Sequence, residues 1–151
     1  ALTDQQIEVV ARSLGITPGE IIDCNWVSNG PQFVAVLLRD PEAVLALEPD
    51  VATFGEIEIG AVGLYPAGSD IAAEVRVFFR GNGVTEDPIT GSFNAGLATW
   101  LTRNGTLPLT YIAAQGTALG RTGRVHIETD ADGVIWVGGN TLTTIAGTVS
   151  L

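Results

Sequence analysis

The sequence predicts an α+β fold in which a mostly antiparallel sheet is rolled around a central helix. Several short segments alternate between apolar and polar residues or are rich in β-branched residues, as strands are. The 151-residue chain also holds 19 glycines, which suit the turns and bulges of a strand-rich fold. One helical segment, residues 93–102, is apolar or small on nearly every side, which is typical of a buried helix. A sheet wrapped around that helix would cover all of its sides.

Two further helices are predicted outside the sheet. The first covers residues 1–15, where Thr3 and Gln6 have the spacing of a capping box and Gly15 is a favourable residue for the helix end. The second begins at Asp40-Pro41, with proline in the first helical position, and ends near Pro49.

The rest of the chain predicts strands that are separated by turns. We expect turns at residues 29–31 and 80–83 and a hairpin at 130–133. The predicted strands cover residues 32–39, 56–65, 71–80, 109–115, 124–128, 134–137 and 141–149. A chain of this length can bury a sizeable core, so we expect one domain over residues 1–151.

The charge of the chain excludes several classes of function. Seventeen acidic residues face seven basic residues, which gives a net charge of −10, and all seven bases are arginine. Nucleic acids and anionic membranes would be repelled, so we expect neither as a partner. Schiff-base chemistry needs a lysine, which the sequence lacks.

Few residues are available for metals, disulfides or targeting. Cys24 is the only cysteine and His126 the only histidine, so neither an internal disulfide nor a metal site is expected. No glycine-rich nucleotide loop has the required spacing. Neither a signal peptide nor an apolar run of about 20 residues is visible. We therefore expect a cytoplasmic protein without metal or cofactor.

The segment of chemical interest joins a predicted strand to the buried helix, and it reads Glu86-Asp87-Pro88-Ile89-Thr90-Gly91-Ser92. The first amides of a helix have no partners within it and carry partial positive charge, so they bind carboxylate or phosphate. Gly91 has no side chain to obstruct these amides, and Thr90 and Ser92 add hydroxyl donors. Asp87 is close enough in sequence to face the same site and to act as an acid or base.

Ordinary structural roles are the alternative for each of these residues. Asp87 would then be a turn residue, and Thr90 or Ser92 would be a helix N-cap. Arg76, on the preceding strand, would pair with Asp87 or with a bound carboxylate, and a surface charge is an equal alternative. Gln115 ends a predicted strand, where a glutamine is usually solvated.

The pattern Glu-Asp-Pro-x-Thr-Gly-Ser after an Arg-x-Phe-Phe strand resembles the hallmark of the phenazine-biosynthesis-protein-F-like (PhzF-like) family. Gln115-Gly116 followed by Gly120-Arg121-Thr122-Gly123-Arg124 is similar to a further segment of that family, in which Gln115 resembles a position near the active-site cleft. Two more segments, residues 136–140 and 146–148, are similar to its closing strands. The resemblance covers essentially the whole chain.

The resemblance implies a diaminopimelate-epimerase-like fold, in which two similar α+β lobes enclose the active site. This chain matches the C-terminal lobe. Asp87 and Ser92 match the catalytic acid and serine of that lobe, and the amides of Gly91 and Ser92 would bind a substrate carboxylate. The principal proton-shuttling glutamate of the family lies in the other lobe. We therefore expect either a missing N-terminal lobe or a homodimer that imitates the two-lobe cleft.

Two functions remain open from the sequence. In the first, the chain is a lobe of a biosynthetic isomerase. It binds a small carboxylic acid through Thr90, Gly91, Ser92 and Arg76, and Asp87 and Ser92 take part in moving a proton without a cofactor. In the second, the chain is a noncatalytic domain for small-anion binding or assembly, and the same helix start holds an anion but no base is supplied. Native mass would help to separate the two.

Overall fold

The structure is a computed structural model that describes residues 2–80 and 85–150. The predicted turn at residues 80–83 therefore lies largely outside the described residues. The helices are α1 (Asp4–Leu14), α2 (Pro41–Leu45) and α3 (Gly91–Arg103). The strands are β1 (Asp23–Ser28), β2 (Gln32–Leu38), β3 (Ile59–Leu64), β4 (Ala73–Phe78), β5 (Glu86–Asp87), β6 (Thr110–Gln115), β7 (Gly123–Thr129) and β8 (Ile135–Gly138).

The strands of the described chain form one eight-stranded sheet. Its order is β1-β2-β3-β4-β6-β7-β8, and the short β5 pairs with β4 beside this path. Only the β2–β3 and β4–β6 pairs are parallel, and the other pairs in the described residues are antiparallel. The prediction of a mostly antiparallel sheet is confirmed.

Helix α3 lies at the centre of the curled sheet. It contacts both β1 and β8, the first and last strands in the sheet order, so the sheet bends around it. Phe93, Leu97, Ala98 and Leu101 of α3 are fully buried among the inward-facing residues of the strands. The prediction of a buried helix is thus confirmed. Helix α3 is apolar on several sides because strands of the sheet pack against it from both flanks.

A close approach between β3 and α3 depends on one glycine. A Cβ atom on Gly60 would lie 2.2 Å from the ring of Phe93, so only glycine leaves room for that ring. Phe93 also packs edge-on against Phe33 of β2, with ring centroids 5.5 Å apart. These contacts fix the depth at which the first turn of α3 sits in the sheet.

Helices α1 and α2 cover the other face of β2, β3 and β4 and form a second apolar core. The predicted capping box of α1 is present, because the Thr3 side chain accepts from the Gln6 amide and the Gln6 side chain accepts from the Thr3 amide. Gly15 ends α1 in the left-handed conformation, with φ at 73°. No helix in the described ranges is both long and apolar enough to cross a membrane.

The strand predicted over residues 141–149 is not present, and this prediction was wrong. Residues 139–150 are all exposed and adopt no regular structure. Leu142, Ile145 and Val149 are 85%, 90% and 81% exposed. The segment has strand-forming residues, but a strand also needs a neighbouring backbone for its hydrogen bonds. Conversely, β1 is covered by none of the strands predicted from the sequence.

Replacing Tyr111 with phenylalanine is expected to raise the free energy of unfolding by about 1 kcal/mol. The Tyr111 hydroxyl is buried and has no hydrogen-bond partner among the described residues. Burial also raises the pKa of Tyr111 above its ordinary value. Phenylalanine keeps the ring and removes the unpaired polar atom. Urea unfolding of both proteins measures the change, and a loss of stability would show that the hydroxyl is satisfied.

Candidate functional site

The candidate site lies where β5 passes into α3. Asp87 pairs with Val77 of β4, and Glu86 pairs with Phe78. Residues directly opposite each other in an antiparallel pair share a face of the sheet. Because Val77 belongs to the core around α3 and Phe78 to the core beneath α1 and α2, Asp87 lies on the α3 side and Glu86 on the other.

The start of α3 is open. Thr90 is the N-cap residue, but its side chain makes no capping bond to the helix. Instead the Thr90 hydroxyl donates to Oδ2 of Asp87 at 2.8 Å. No hydrogen bond to a described residue engages the N–H groups of Gly91, Ser92 or Phe93. These amides are the groups that bind anions at helix N-termini.

Gln115, at the end of β6, holds the site together. Its Oε1 accepts from the Thr90 amide at 3.1 Å and from Nδ2 of Asn94 at 2.8 Å. Its Nε2 donates to the Asp87 carbonyl at 2.9 Å and to the Thr90 hydroxyl at 3.1 Å. Gln115 and Asn94 are both fully buried. One side chain from β6 therefore ties β5 to the start of α3.

The residues that follow Gln115 pack closely against the loop before α3. Gly116 has a φ of +87°, and a Cβ atom there would lie 2.8 Å from the Pro88 carbonyl oxygen. A Cβ atom on Gly123 would collide with the Gln115 carbonyl oxygen and would lie 2.8 Å from the Ile89 side chain. Glycine is needed at both positions for this approach. The segment that begins at Gln115-Gly116 therefore packs against Pro88 and Ile89 of the loop before α3.

The structure brings four of the predicted site residues together, namely Asp87, Thr90, Gly91 and Ser92. Gly91 is exposed, Asp87 and Ser92 are half-buried, and Thr90 is buried. The Asp87 carboxylate contacts the helix start through the Thr90 hydroxyl, and the unengaged amides of Gly91 and Ser92 follow directly in the chain. Such a site can hold a small anion and offer it an acid or base at short range.

Arg76 is not part of this arrangement, and the expectation that it binds substrate is revised. On β4, Arg76 shares the face of Phe78, away from α3. Its Nε and Nη2 donate to the two carboxylate oxygens of Glu86 at 3.0 and 2.7 Å. Its Nη1 donates to the carbonyls of Val44 and Leu47 at 3.2 and 2.8 Å. All three guanidinium nitrogens are thus engaged by the protein, and the side chain is neither a surface charge nor a partner of Asp87.

Three residues of this region were missed or misjudged from the sequence. Gln115 was weighed as a solvated strand end against a resemblance to a family position near the cleft, and neither Asn94 nor Glu86 was singled out. Gln115 bonds to Asn94 and Thr90, which lie 21 and 25 residues before it in the chain. Glu86 bonds to Arg76, which lies 10 residues before it. Asn94 lies in an apolar helix and Gln115 at the end of an apolar strand, and polar side chains that become buried in such places need hydrogen-bond partners. That requirement was the available signal in the sequence.

Three surface clefts of the described chain lie elsewhere. One of about 670 Å³ runs between Asp70 and the outer face of β6, β7 and β8, where Ile112, His126 and Trp136 line it. Two others, of about 650 and 410 Å³, lie beside α2 and beside β1. None of the three is lined by Asp87 or by residues 90–92. In the described ranges, no three His, Cys, Asp or Glu side chains form a cluster suited to a metal ion.

Comparison with known proteins assigns the family. The family model for phenazine biosynthesis-like proteins matches residues 3–148. The chain belongs to the phenazine biosynthesis-like (PhzF-like) protein family. Among its relatives, an uncharacterized isomerase of Pasteurella multocida is 30% identical over 141 residues, which is 92% of this chain and 48% of that protein. The uncharacterized isomerase YddE of Salmonella typhimurium is 32% identical over 123 residues, or 74% of this chain and 40% of that protein.

Solved structures of the PhzF-like family share the fold. A PhzF-family phenazine biosynthesis protein of Bacillus anthracis matches with a TM-score of 0.68 at 20% identity, over 87% of this chain and 50% of that one. A predicted epimerase of Pseudomonas aeruginosa matches with a TM-score of 0.68 at 21% identity, over 92% and 50%. The diaminopimelate-epimerase-like fold expected from the sequence is confirmed. The chain spans less than half the length of the curated relatives named above.

Proposed function

We propose that this PhzF-like chain is an isomerase lobe that binds a small carboxylic acid at the start of α3. The observation that carries the proposal is the diverted N-cap. Thr90 turns its hydroxyl toward Asp87 instead of capping α3, and the amides of Gly91, Ser92 and Phe93 have no partner in the described chain. The substrate carboxylate would accept from these amides and from the Ser92 hydroxyl.

Asp87 would move the proton. A carboxylate bound at α3 brings its neighbouring carbon close to Asp87, which can take a proton from one carbon and return it to another. Negative charge grows on the substrate as the proton leaves. The partial positive charge of the helix amides stabilises that charge, because the amides are already oriented toward the anion. The reaction class is therefore a proton-shift isomerisation that needs no cofactor.

Full activity would require a second lobe or a second copy of the chain. The start of α3 is an open helix end rather than an enclosed cleft, and proton transfer to and from carbon is favoured where water is excluded. The exposed segment 139–150 supports a partner, because it is uncharged and presents Leu142, Ile145 and Val149 to solvent. An unpaired, strand-forming segment of this kind suits strand addition to another sheet.

Asp87→Asn is expected to lower turnover by at least about 100-fold in a complete assembly. Asparagine keeps the size of the side chain and can still accept from Thr90, but it cannot take a proton. Asp132→Asn is the matched control, since Asp132 is an exposed residue of the hairpin turn before β8. Exchange of deuterium from solvent into the isomerised product measures the proton transfer. Full turnover in Asp87→Asn would contradict the proposed role.

The native mass of the purified 15.7 kDa chain tests the need for a partner. Sedimentation equilibrium is expected to show a two-fold dimer, or a monomer that forms a complex once a separately expressed N-terminal lobe from a relative is added. Ile145→Asp should weaken either association, because it places a charge in the exposed segment. Asp70→Asn is a control outside that segment. A strict monomer that binds no such lobe would favour the anion-binding alternative.

A further inference from the structure

The hydrogen-bond directions around Gln115 are fixed by atoms that can act in only one way. The Thr90 amide can only donate, so the atom of Gln115 that faces it at 3.1 Å must be Oε1. The Asp87 carbonyl can only accept, so the atom that faces it at 2.9 Å must be Nε2. The two requirements agree, and they determine the orientation of the Gln115 amide.

The orientation of Gln115 in turn determines the direction of the Thr90 hydroxyl. The second hydrogen of Nε2 points to Thr90 Oγ1 at 3.1 Å, so that oxygen is an acceptor toward Gln115. The hydroxyl hydrogen is then free for Oδ2 of Asp87, 2.8 Å away. The hydrogen bonds therefore run in one direction, from Gln115 through Thr90 to Asp87.

We propose that Gln115 is a positioning residue, which acts through Thr90 to hold Oδ2 of Asp87 as a hydrogen-bond acceptor and leaves Oδ1 to exchange the substrate proton. No described residue donates to Oδ1 in a hydrogen bond. Through the same bonds Gln115 keeps the Thr90 hydroxyl away from the first amides of α3. One buried side chain thus keeps the anion site open and selects the reactive oxygen of the base.

Asn94 supports this role from within α3. Its Nδ2 donates to Oε1 of Gln115 at 2.8 Å and to the Thr90 carbonyl at 3.0 Å. Gln115 therefore accepts two hydrogen bonds and donates two, and its side chain is fully buried. With all of its polar positions used, Gln115 has one orientation, because reversing it would set Nε2 against two donors and Oε1 against the Asp87 carbonyl.

The experiment is a side-chain NMR measurement on Thr90→Val. In the wild-type chain, both Nε2 hydrogens of Gln115 should exchange slowly with water. In Thr90→Val, the hydrogen that bonded to Oγ1 should exchange at least tenfold faster, while the one bonded to the Asp87 carbonyl stays protected. Thr90→Ser should restore slow exchange of both. Thr99→Val is the matched control, because the Thr99 hydroxyl donates to the Ala95 carbonyl within α3.

Fast exchange of either hydrogen in wild type, or an unchanged pair in Thr90→Val, would overturn the assignment. If Thr90→Val does not fold, neutron diffraction of the wild-type chain gives the answer. Deuterium on Thr90 Oγ1 directed at Asp87 Oδ2 is expected, and deuterium directed elsewhere would contradict the proposal. The catalytic consequence rests on the proposed function, but the hydrogen positions do not. Failure of the anion site would appear separately, as amides of α3 that do not respond to acetate.

Discussion

Arg76→Met is expected to lower the free energy of unfolding by about 3–5 kcal/mol, the usual cost of removing one partner of a buried ion pair. Arg76 and Glu86 side chains are each 8% exposed and form two hydrogen bonds. Without the guanidinium, the Glu86 carboxylate is left unpaired in a poorly solvated position. The carbonyls at the end of α2 that accept from Nη1 also lose their partner.

The matched control for Arg76 is Arg39→Met. Arg39 pairs with Asp40 at 2.6 Å, but its side chain is 79% exposed and the pair is screened by water, so its loss should lower the free energy of unfolding far less than Arg76→Met does. The double variant Arg76→Met with Glu86→Leu should recover part of the stability, because the unpaired buried charge is gone. Chemical denaturation of the four proteins measures these values. Equal losses for Arg76→Met and Arg39→Met would contradict the buried pair.

Phe93→Ala is expected to cost about 3–5 kcal/mol, the usual range for a large aromatic residue in a core. Phe93 is fully buried and fills the space above Gly60, where it meets Phe33 edge-on. Its removal leaves a cavity between α3 and β3 that the sheet cannot easily close. Because Phe93 is the third residue of α3, the start of the helix should also become less ordered.

Gly60→Ala provides the complementary test of the same contact. In the wild-type chain the new methyl group collides with the Phe93 ring, and overpacking of this kind costs roughly 1–3 kcal/mol. In the Phe93→Ala background the methyl group enters the empty space, so the two changes together should cost less than their sum. Leu109→Ala, at a residue that is 57% exposed, serves as a control with a small effect. Strict additivity would mean that Gly60 and Phe93 do not touch.

Much of the fold was predictable because local pattern and tertiary structure agree. Residues 93–102 are apolar or small on nearly every side, as expected of a helix enclosed by a sheet, and α3 is that helix. Local capping also predicted α1 from Thr3, Gln6 and Gly15. The exposed segment 141–149 shows where pattern fails, because β-forming residues do not become a strand without a partner backbone. These residues have strand propensity, but the sequence does not show which sheet edge they would pair with.

The candidate site was predictable only in the part that is contiguous in sequence. Asp87, Thr90, Gly91 and Ser92 lie within six residues, so helix-start chemistry was sufficient to group them. Gln115 joins them through the β4–β6 pairing, and only the folded sheet brings it to Thr90.

Arg76 was misassigned for a related reason. Alternation along β4 places Arg76 and Val77 on opposite faces, but the sequence does not show which of those faces α3 covers. The strand pairing places Asp87 opposite Val77, on the face away from Arg76. Arg76 therefore pairs with Glu86, one residue before Asp87, and not with Asp87 itself.

The most direct test of the central claim is a titration of the ¹⁵N-labelled chain with sodium acetate at constant pH, with sodium chloride as the salt control. The amides of Gly91, Ser92 and Phe93 should shift in a saturable way, at roughly millimolar acetate because only one lobe of the site is present. The first amides of α1, where Thr3 supplies a side-chain cap, should shift far less. Equal, unsaturated shifts at the two helix starts would contradict an anion site at α3.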